Sequence, residues 1–600
     1  MENKQLERLD FHIILEFLQK FYRLISISYH LSYISSKLYV RLVLQLNAKQ
    51  QEKGSKTFFV IFSTVLMTAL IIGSNNTMGF NFGSEDNSNI LNPSDETLPD
   101  HLNVSTYIGG SGTEYRANAE DIGNSGMTID SSGNIIVVGR TGSSTDFPVI
   151  NAYQATFGGG LFDAFVYKLS SDGQSLLFAT YFGGSGEEWA TNVAVNAEGE
   201  IAVVGTTTST NLPLQSAYQS TNNGGEFYST DIFLAKFGGS GSLLFSTYFG
   251  GTGDDWGYGV DFDSSNRIAI TGSTYSLDFP TVSAYQASKT AGSVDNYVTL
   301  FSANGQSLVF STYLGSTGND GSSSIKFDYN GDLVLTGLTS STGFPTKNAY
   351  DSSYNTGAYD VFLSKFFANG SLAFSTFYGG TDADRAYDIA FDENHNIVFV
   401  GSTNSLYNFP ITNDAFQSSY GGGSLDGFVS VFSSDGQTRV FSSFYGGSGI
   451  DEIIGIAVAD DVLVITGRTV SSNLPVEQAY QSTPPGGSSN SFVAKVALNG
   501  TILYSSYLGG NSADRGQKAA INSNGNIIVS GYTSSTSFPT VDAYQDEYGG
   551  LFDTYVTIFN LNLTVPPEIP TETGSFVPYI PFVLVMVIAV VTRIRLKAKK

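Results

Sequence analysis

The stretch Leu244–Gln286 reads LFSTYFGG, TGDDWGYGVDFDSSNRIAITGSTYSLDFP, TVSAYQ, and close variants of it return along the chain. Its clearest marker is Phe-Pro or Leu-Pro after a run rich in Gly, Thr and Ser. The marker prolines are Pro148, Pro213, Pro280, Pro345, Pro410, Pro475 and Pro539, in steps of 65, 67, 65, 65, 65 and 64 residues. Seven copies at one period declare a repeat architecture, in which each unit buries its apolar faces against its neighbours.

Each period holds four short runs with strand chemistry, labelled a to d from the copy at Asp360: DVFLSKF, SLAFSTFYGG, DIAFDEN and NIVFVGST. They are rich in Val, Ile, Phe, Tyr and Thr, and Gly, Asn or Asp stand between them. Runs c and d are joined by tight turns such as SSGN at Ser131–Asn134 and SNGN at Ser523–Asn526, where Gly and Asn tolerate positive φ. Four antiparallel strands in about 65 residues make one propeller blade with long loops. Helical periodicity within the repeats extends to no more than one turn at the recurring AYQ.

The array begins with run b (VSTYIGG, from Val104) and ends with run a (DTYVTIF, to Phe559). The reading is an all-β, seven-bladed β-propeller of four-stranded antiparallel blades. Blade one lacks its a strand and the chain end supplies it, so the C-terminal strand pairs with the N-terminal strands to close the ring. Closure removes two open sheet edges.

The pattern YFGGSGxDxxxxIxxDxxGNIxVxGxTxSxxFPxxxAYQ resembles the SBBP-type repeat, named for seven-bladed β-propellers. The resemblance spans Leu102 to about Thr564. It implies the fold and no agreed catalytic activity, so no active-site residue follows from it. Two copies depart from the pattern. Gly315-Ser316 replaces the glycine pair, and Ala459–Val462 (ADDV) lacks the Gly-Asn turn.

The flanks read differently. Residues 1–56 contain an amphipathic helical pattern, either lying on a membrane face or preceding the true translation start. Residues 57–73, centred on FFVIFSTVLMTALII after Lys53 and Lys56, read as a signal peptide or an uncleaved signal-anchor. Residues 74–101 are a polar linker, 102–564 the propeller and 565–575 a Pro-rich stalk. Residues 576–592 are apolar and precede RIRLKAKK at 593–600, a transmembrane helix with a basic cytoplasmic tail. The ring is therefore expected outside the cell, tethered to the membrane. Sequons at Asn75, Asn103, Asn369, Asn499 and Asn562 are possible glycosylation sites there.

The chain has no Cys, which excludes disulfides and thiolate chemistry. Residues 57–592 carry 15 basic and 49 acidic side chains, a net of −34. Such a ring is not a nucleic-acid binder, since phosphate recognition needs a basic surface. The four histidines, His12, His30, His101 and His395, form no paired metal motif.

One recurring loop offers chemistry. After each glycine pair come carboxylates: Glu187 and Glu188, Asp254 and Asp255, Asp320, Asp382 and Asp384, Asp451 and Glu452, and Asp514. On one face of a ring they could ligate calcium, act as acid and base on a sugar, or simply build the turn. Trp189 and Trp256 share one repeat position in successive blades, where they would form a stacking platform or pack over a blade edge. The expectation is a non-catalytic surface scaffold binding a protein or glycan. A surface polysaccharide hydrolase and a structural envelope component are the alternatives.

Overall fold

The computed structural model describes residues 101–114, 126–225, 229–289, 292–460 and 462–561. The expected amphipathic region, signal, stalk, membrane helix and basic tail lie outside these residues, as do Asn75, Asn562, His12 and His30. Among the described residues all regular structure is strand, 28 in number, arranged as seven four-stranded antiparallel sheets. No helix there is long and apolar enough to cross a membrane.

The runs pair in the order c–d–a–b. Blade one is Gly126–Ile129, Ile135–Thr141, Asp163–Leu169 and Leu176–Phe182. The c strands of successive blades touch one another around the ring, so c is innermost and b outermost. Strands d and a lie between neighbouring blades and are apolar on both sides. That is why IAVVG and DIFLAKF read as near-continuous hydrophobic runs and every residue of Asp231–Phe237 is buried.

Closure refines the expectation. Blade one has its own a strand, and the incomplete blade is the seventh. Its strands c, d and a (Asp514–Ile521, Ile527–Thr533, Asp553–Phe559) come from the chain's C-terminal side, and its b strand is Leu102–Ile108. The register pairs Val104 with Ile558, Thr106 with Val556 and Tyr107 with Tyr555. Tyr107 and Leu102 then join Val529, Tyr555 and Phe559 in one core. The terminal strand thus pairs with the N-terminal strand as expected, but the blade completed is the last.

The AYQ segment is not a helical turn. The residue two positions before its Tyr has positive φ in six copies: Asn151, Ser216, Ser283, Asn348, Gln478 and Asp542. The flanking residues bridge to strand b, as Gln215 does to Ser246 and Gln219 to Tyr248. The long d–a loop therefore runs outward and lies along the exposed edge of its own blade, capping an edge strand that would otherwise invite pairing. The tyrosine packs onward, with Tyr153 edge-on to Phe237 at 6.5 Å and Tyr350 to Phe432 at 5.1 Å, each in the next blade.

Candidate functional site

The b–c loops and the long d–a loops emerge at the same end of the strands. There the recurring acids go to a structural task. In blade two the Glu188 carboxylate accepts from Thr207 Oγ1 at 2.6 Å and from the Gly184 N–H at 2.9 Å. Asp255 accepts from Ser276 Oγ at 2.7 Å and the Gly251 N–H at 2.8 Å. Asp320, Asp384, Asp451 and Asp514 repeat the pattern on Ser341, Ser405, Ser471 and Ser535. The Thr-x-Ser ending each d strand is the other half of this clamp. All six acids are buried.

A second acid stands opposite in the preceding blade, the first residue of strand a. Asp163 and Glu188 meet at the Cα of Gly183, and Asp231 and Asp255 at that of Gly250. A Cβ on Gly250 would lie 2.5 Å from Asp231 Oδ1 and 2.6 Å from Asp255 Oδ2, so only glycine fits. The glutamine of AYQ completes the joint: Gln219 Oε1 accepts from the Gly250 N–H and its Nε2 donates to Asp231. Burial first, then the charge of the opposing carboxylate, pushes Asp163 up to about 7 and Asp231 up to about 8. Asp360 and Asp426, opposite Asp384 and Asp451, rise to about 7 for the same reasons.

The departure at Gly315-Ser316 leaves this joint intact. The second position supplies only a backbone N–H, and Ser316 donates to Asp320 at 2.9 Å. The side chain gains its room because Gly343 stands where Asn211 and Asp278 stand in the preceding copies. A real departure is Asp351, which replaces the glutamine in blade four. There Asn355 donates to it, and a groove of about 320 Å³ opens among Tyr350, Asp351, Tyr378 and Pro410.

The remaining candidate acids are scattered. Asp254 is buried and accepts from the Thr230 N–H at 3.1 Å. Glu187 is half-buried and Asp382 exposed. Among the described residues no three His, Asp or Glu side chains converge as a metal-binding group. His395 sits exposed in its c–d turn at φ 65°, stacked on Tyr329 at 3.9 Å. Asn103, Asn369 and Asn499 are exposed.

The blades also diverge at the residue just after the clamp acid. On the innermost strand, ahead of its β-bulge, successive blades present Trp189, Trp256, Gly321, Arg385, Glu452 and Arg515. Among the described residues these positions stand at the start of six inner strands that follow one another around the ring, and they mark its axial mouth. Trp256 meets Tyr275 edge-on at 5.4 Å. The Arg140 guanidinium is stacked between Phe162, at 5.1 Å, and Trp189, at 5.7 Å. Arg385 lies over the Tyr359 ring at 4.3 Å. Glu452 collects Arg468 at 3.6 Å, Arg515 at 3.5 Å and the Tyr387 hydroxyl at 3.2 Å. Deeper in, Lys518 of blade seven reaches past Gly455 of blade six to Asp388 of blade five, at 2.9 Å. Of the sequence candidates, only Trp189, Trp256 and Glu452 belong to the mouth. Arg385 and Arg515 were missed because they occupy the repeat's variable column after the clamp acid, which marks them once the copies are aligned.

No protein-family model matches the chain, and no curated protein matches it. Solved structures resemble it at the level of the propeller. A Dyadobacter fermentans protein of unknown function is 12% identical over 77% of this chain and 98% of its own, with a TM-score of 0.34. The Pan2 WD40 domain of Neurospora crassa is 10% identical over 77% and 98%, with a TM-score of 0.36. A europium-containing methanol dehydrogenase is 9% identical over 77% and 93%, with a TM-score of 0.33. Likenesses this distant assign no activity, and the seven blades rest on the strand pairing itself.

Proposed function

We propose that this chain is a membrane-anchored cell-surface propeller of the SBBP type that binds a protein or glycan partner without catalysing a reaction. The axial mouth carries this reading. The blades differ there, and what they place there are aromatic rings and arginines, side chains suited to recognition. The acids that would supply hydrolytic acid–base pairs in every blade are instead buried in the clamps between blades. The apolar run at 576–592 followed by RIRLKAKK supports the anchor.

The test is binding of the full-length protein to envelopes of its own organism, with calcium and with chelator. Saturable binding that survives the chelator supports the reading. Binding lost on removing calcium would reassign recognition to the loop acids Glu187 and Asp382. No binding, together with release of reducing ends from envelope polysaccharide, would favour an enzyme instead.

A further inference from the structure

We propose that the groove between blades four and five is a binding site for a neutral sugar residue. It lies at the end of an outermost strand, Leu372–Tyr378, and is a second site, separate from the axial mouth.

The repeat shows how the groove arises. In six copies the glutamine of AYQ accepts, through Oε1, from the N–H of the first glycine of the pair, at Gly109, Gly183, Gly250, Gly315, Gly446 and Gly509. Asp351 stands in its place in blade four and is one methylene shorter. Its oxygens turn to the Ser353 N–H at 2.8 Å and Asn355 Nδ2 at 3.1 Å. The N–H of Gly379, a buried residue, is left without an acceptor among the described residues.

A second acceptor is missing at the same place. In four copies the Asn or Asp before the marker Phe-Pro or Leu-Pro accepts from the N–H two residues after that glycine, as Asn211 does from Ser185 and Asn473 from Ser448, both at 2.8 Å. Asn408 holds this position in blade five. It alone among the five adopts positive φ, 63°, and it does not take the Thr381 N–H. Among the described residues this copy is the only one to lack both acceptors. Gly379, Thr381, Asp351 and Asn408 all line the groove of about 320 Å³, and the Tyr378 hydroxyl ties its two blades by donating to the Pro410 carbonyl at 3.0 Å.

The ligand follows from what these groups need. Two backbone N–H groups call for oxygen acceptors, while the Asp351 carboxylate calls for donors. An anion would satisfy the N–H groups but meet Asp351 with like charge, and an ammonium group would do the reverse. Hydroxyl groups accept and donate at once, so a neutral sugar answers both. Tyr350 also lines the groove, 40% exposed and held edge-on to Phe432 at 5.1 Å, and offers a ring to the C–H face of a pyranose. The volume is near the lower end of small-molecule pockets, about 300 Å³, which suits a single ring.

Asp351→Gln is the deciding variant, because it rebuilds the joint of the other copies and fills the groove with the repeat's own residue. The neighbouring Asn355 does not obstruct it, since Gln219 and Asn223 stand together at the same spacing in blade two, and the Asn223 and Asn355 N–H groups each donate to the first aspartate of strand a. Methyl glycosides of glucose, galactose, mannose and N-acetylglucosamine, and methyl glucuronide, are titrated into the full-length protein and followed by saturation-transfer NMR. At least one neutral glycoside should bind saturably, with the glucuronide about tenfold weaker or more. Asp351→Gln should weaken the neutral glycoside about tenfold or more with an equal or higher melting temperature. Tyr350→Ala should weaken it as well. Silence with all four neutral glycosides would overturn the proposal, as would undiminished binding by Asp351→Gln. A glucuronide bound as tightly as the neutral sugars would overturn the ligand class. Envelope binding kept by Asp351→Gln while glycoside binding is lost supports two separate sites, and loss of both would overturn their separation.

Discussion

Asp553, near the end of the ring, and Glu114, near its start, bring their carboxyl groups together against the Cα of Gly109. This is the same joint that links Asp163 to Glu188 and Asp231 to Asp255, now made between the two ends of the propeller. The Glu114 N–H donates to the Phe552 carbonyl at 2.9 Å, as the Glu188 N–H does to that of Phe162. The seam is therefore closed by the seventh copy of a repeated device. Burial and the neighbouring acid push Glu114 well above the ordinary carboxyl range, which favours its protonated form.

These joints give the ring an inverted acid response. In the unfolded chain the carboxyls ionise near pH 4. In the ring Asp163, Asp255, Asp360, Asp384 and Asp426 keep their protons up to about 7. Between those limits the native state binds more protons than the unfolded state, so stability falls as pH rises. Calorimetry should give a higher melting temperature at pH 5 than at pH 8. A flat or rising profile would remove the protonated joints from the account.

Blade six already carries the neutral version, with Asn490 beside Gly509 and Asp514 where other blades have Asp. Asp231→Asn should therefore stabilise the protein at pH 8, by on the order of 1 kcal/mol. At pH 5 the gain should be smaller, because the linked cost of holding the native aspartate protonated shrinks as pH falls toward the ordinary carboxyl value. Denaturant midpoints of the two proteins at both pH values measure the difference. Destabilisation at pH 8 would mean that Asp231 is needed as an anion.

Gly250→Ala probes the same joint sterically. Its methyl group would press on both Asp231 and Asp255, neither of which can withdraw from its clamp. The expected cost is about 2–3 kcal/mol. The comparison is Gly199→Ala, where nothing lies within 4 Å of the added carbon but φ is 79°. That change should cost about 1 kcal/mol through backbone strain alone. Equal losses at the two positions would show that the carboxyl pair yields.

Truncation tests closure. A chain ending at Asn560 retains the strand Asp553–Phe559 and should stay monodisperse. One ending before Asp553 leaves Leu102–Ile108 and Ile527–Thr533 each without their neighbour. Size-exclusion chromatography should then show oligomers or aggregate, because two sheet edges are open. A monodisperse shortened chain would mean that the ring tolerates an open seam.

The period of the marker prolines and the four strand-like runs determined the propeller, its blade count and the fact of closure, because a repeat that cannot bury its faces alone must stack on copies of itself. The offset between first run b and last run a also announced which strands pair at the seam. It did not say which blade they complete, since that depends on c, and not a, being the innermost strand. The AYQ segment misled for a related reason: its extended path is set by pairing with the outer strand and by the positive φ at Asn151 and its equivalents, neither of which leaves a periodic trace. Glu188 and Asp255 looked like ligands because acid after glycine reads the same whether it faces solvent or a buried Thr-x-Ser. Only the tertiary structure separated the cases, by burying the acids that start the inner strands against the Thr-x-Ser of their own blades.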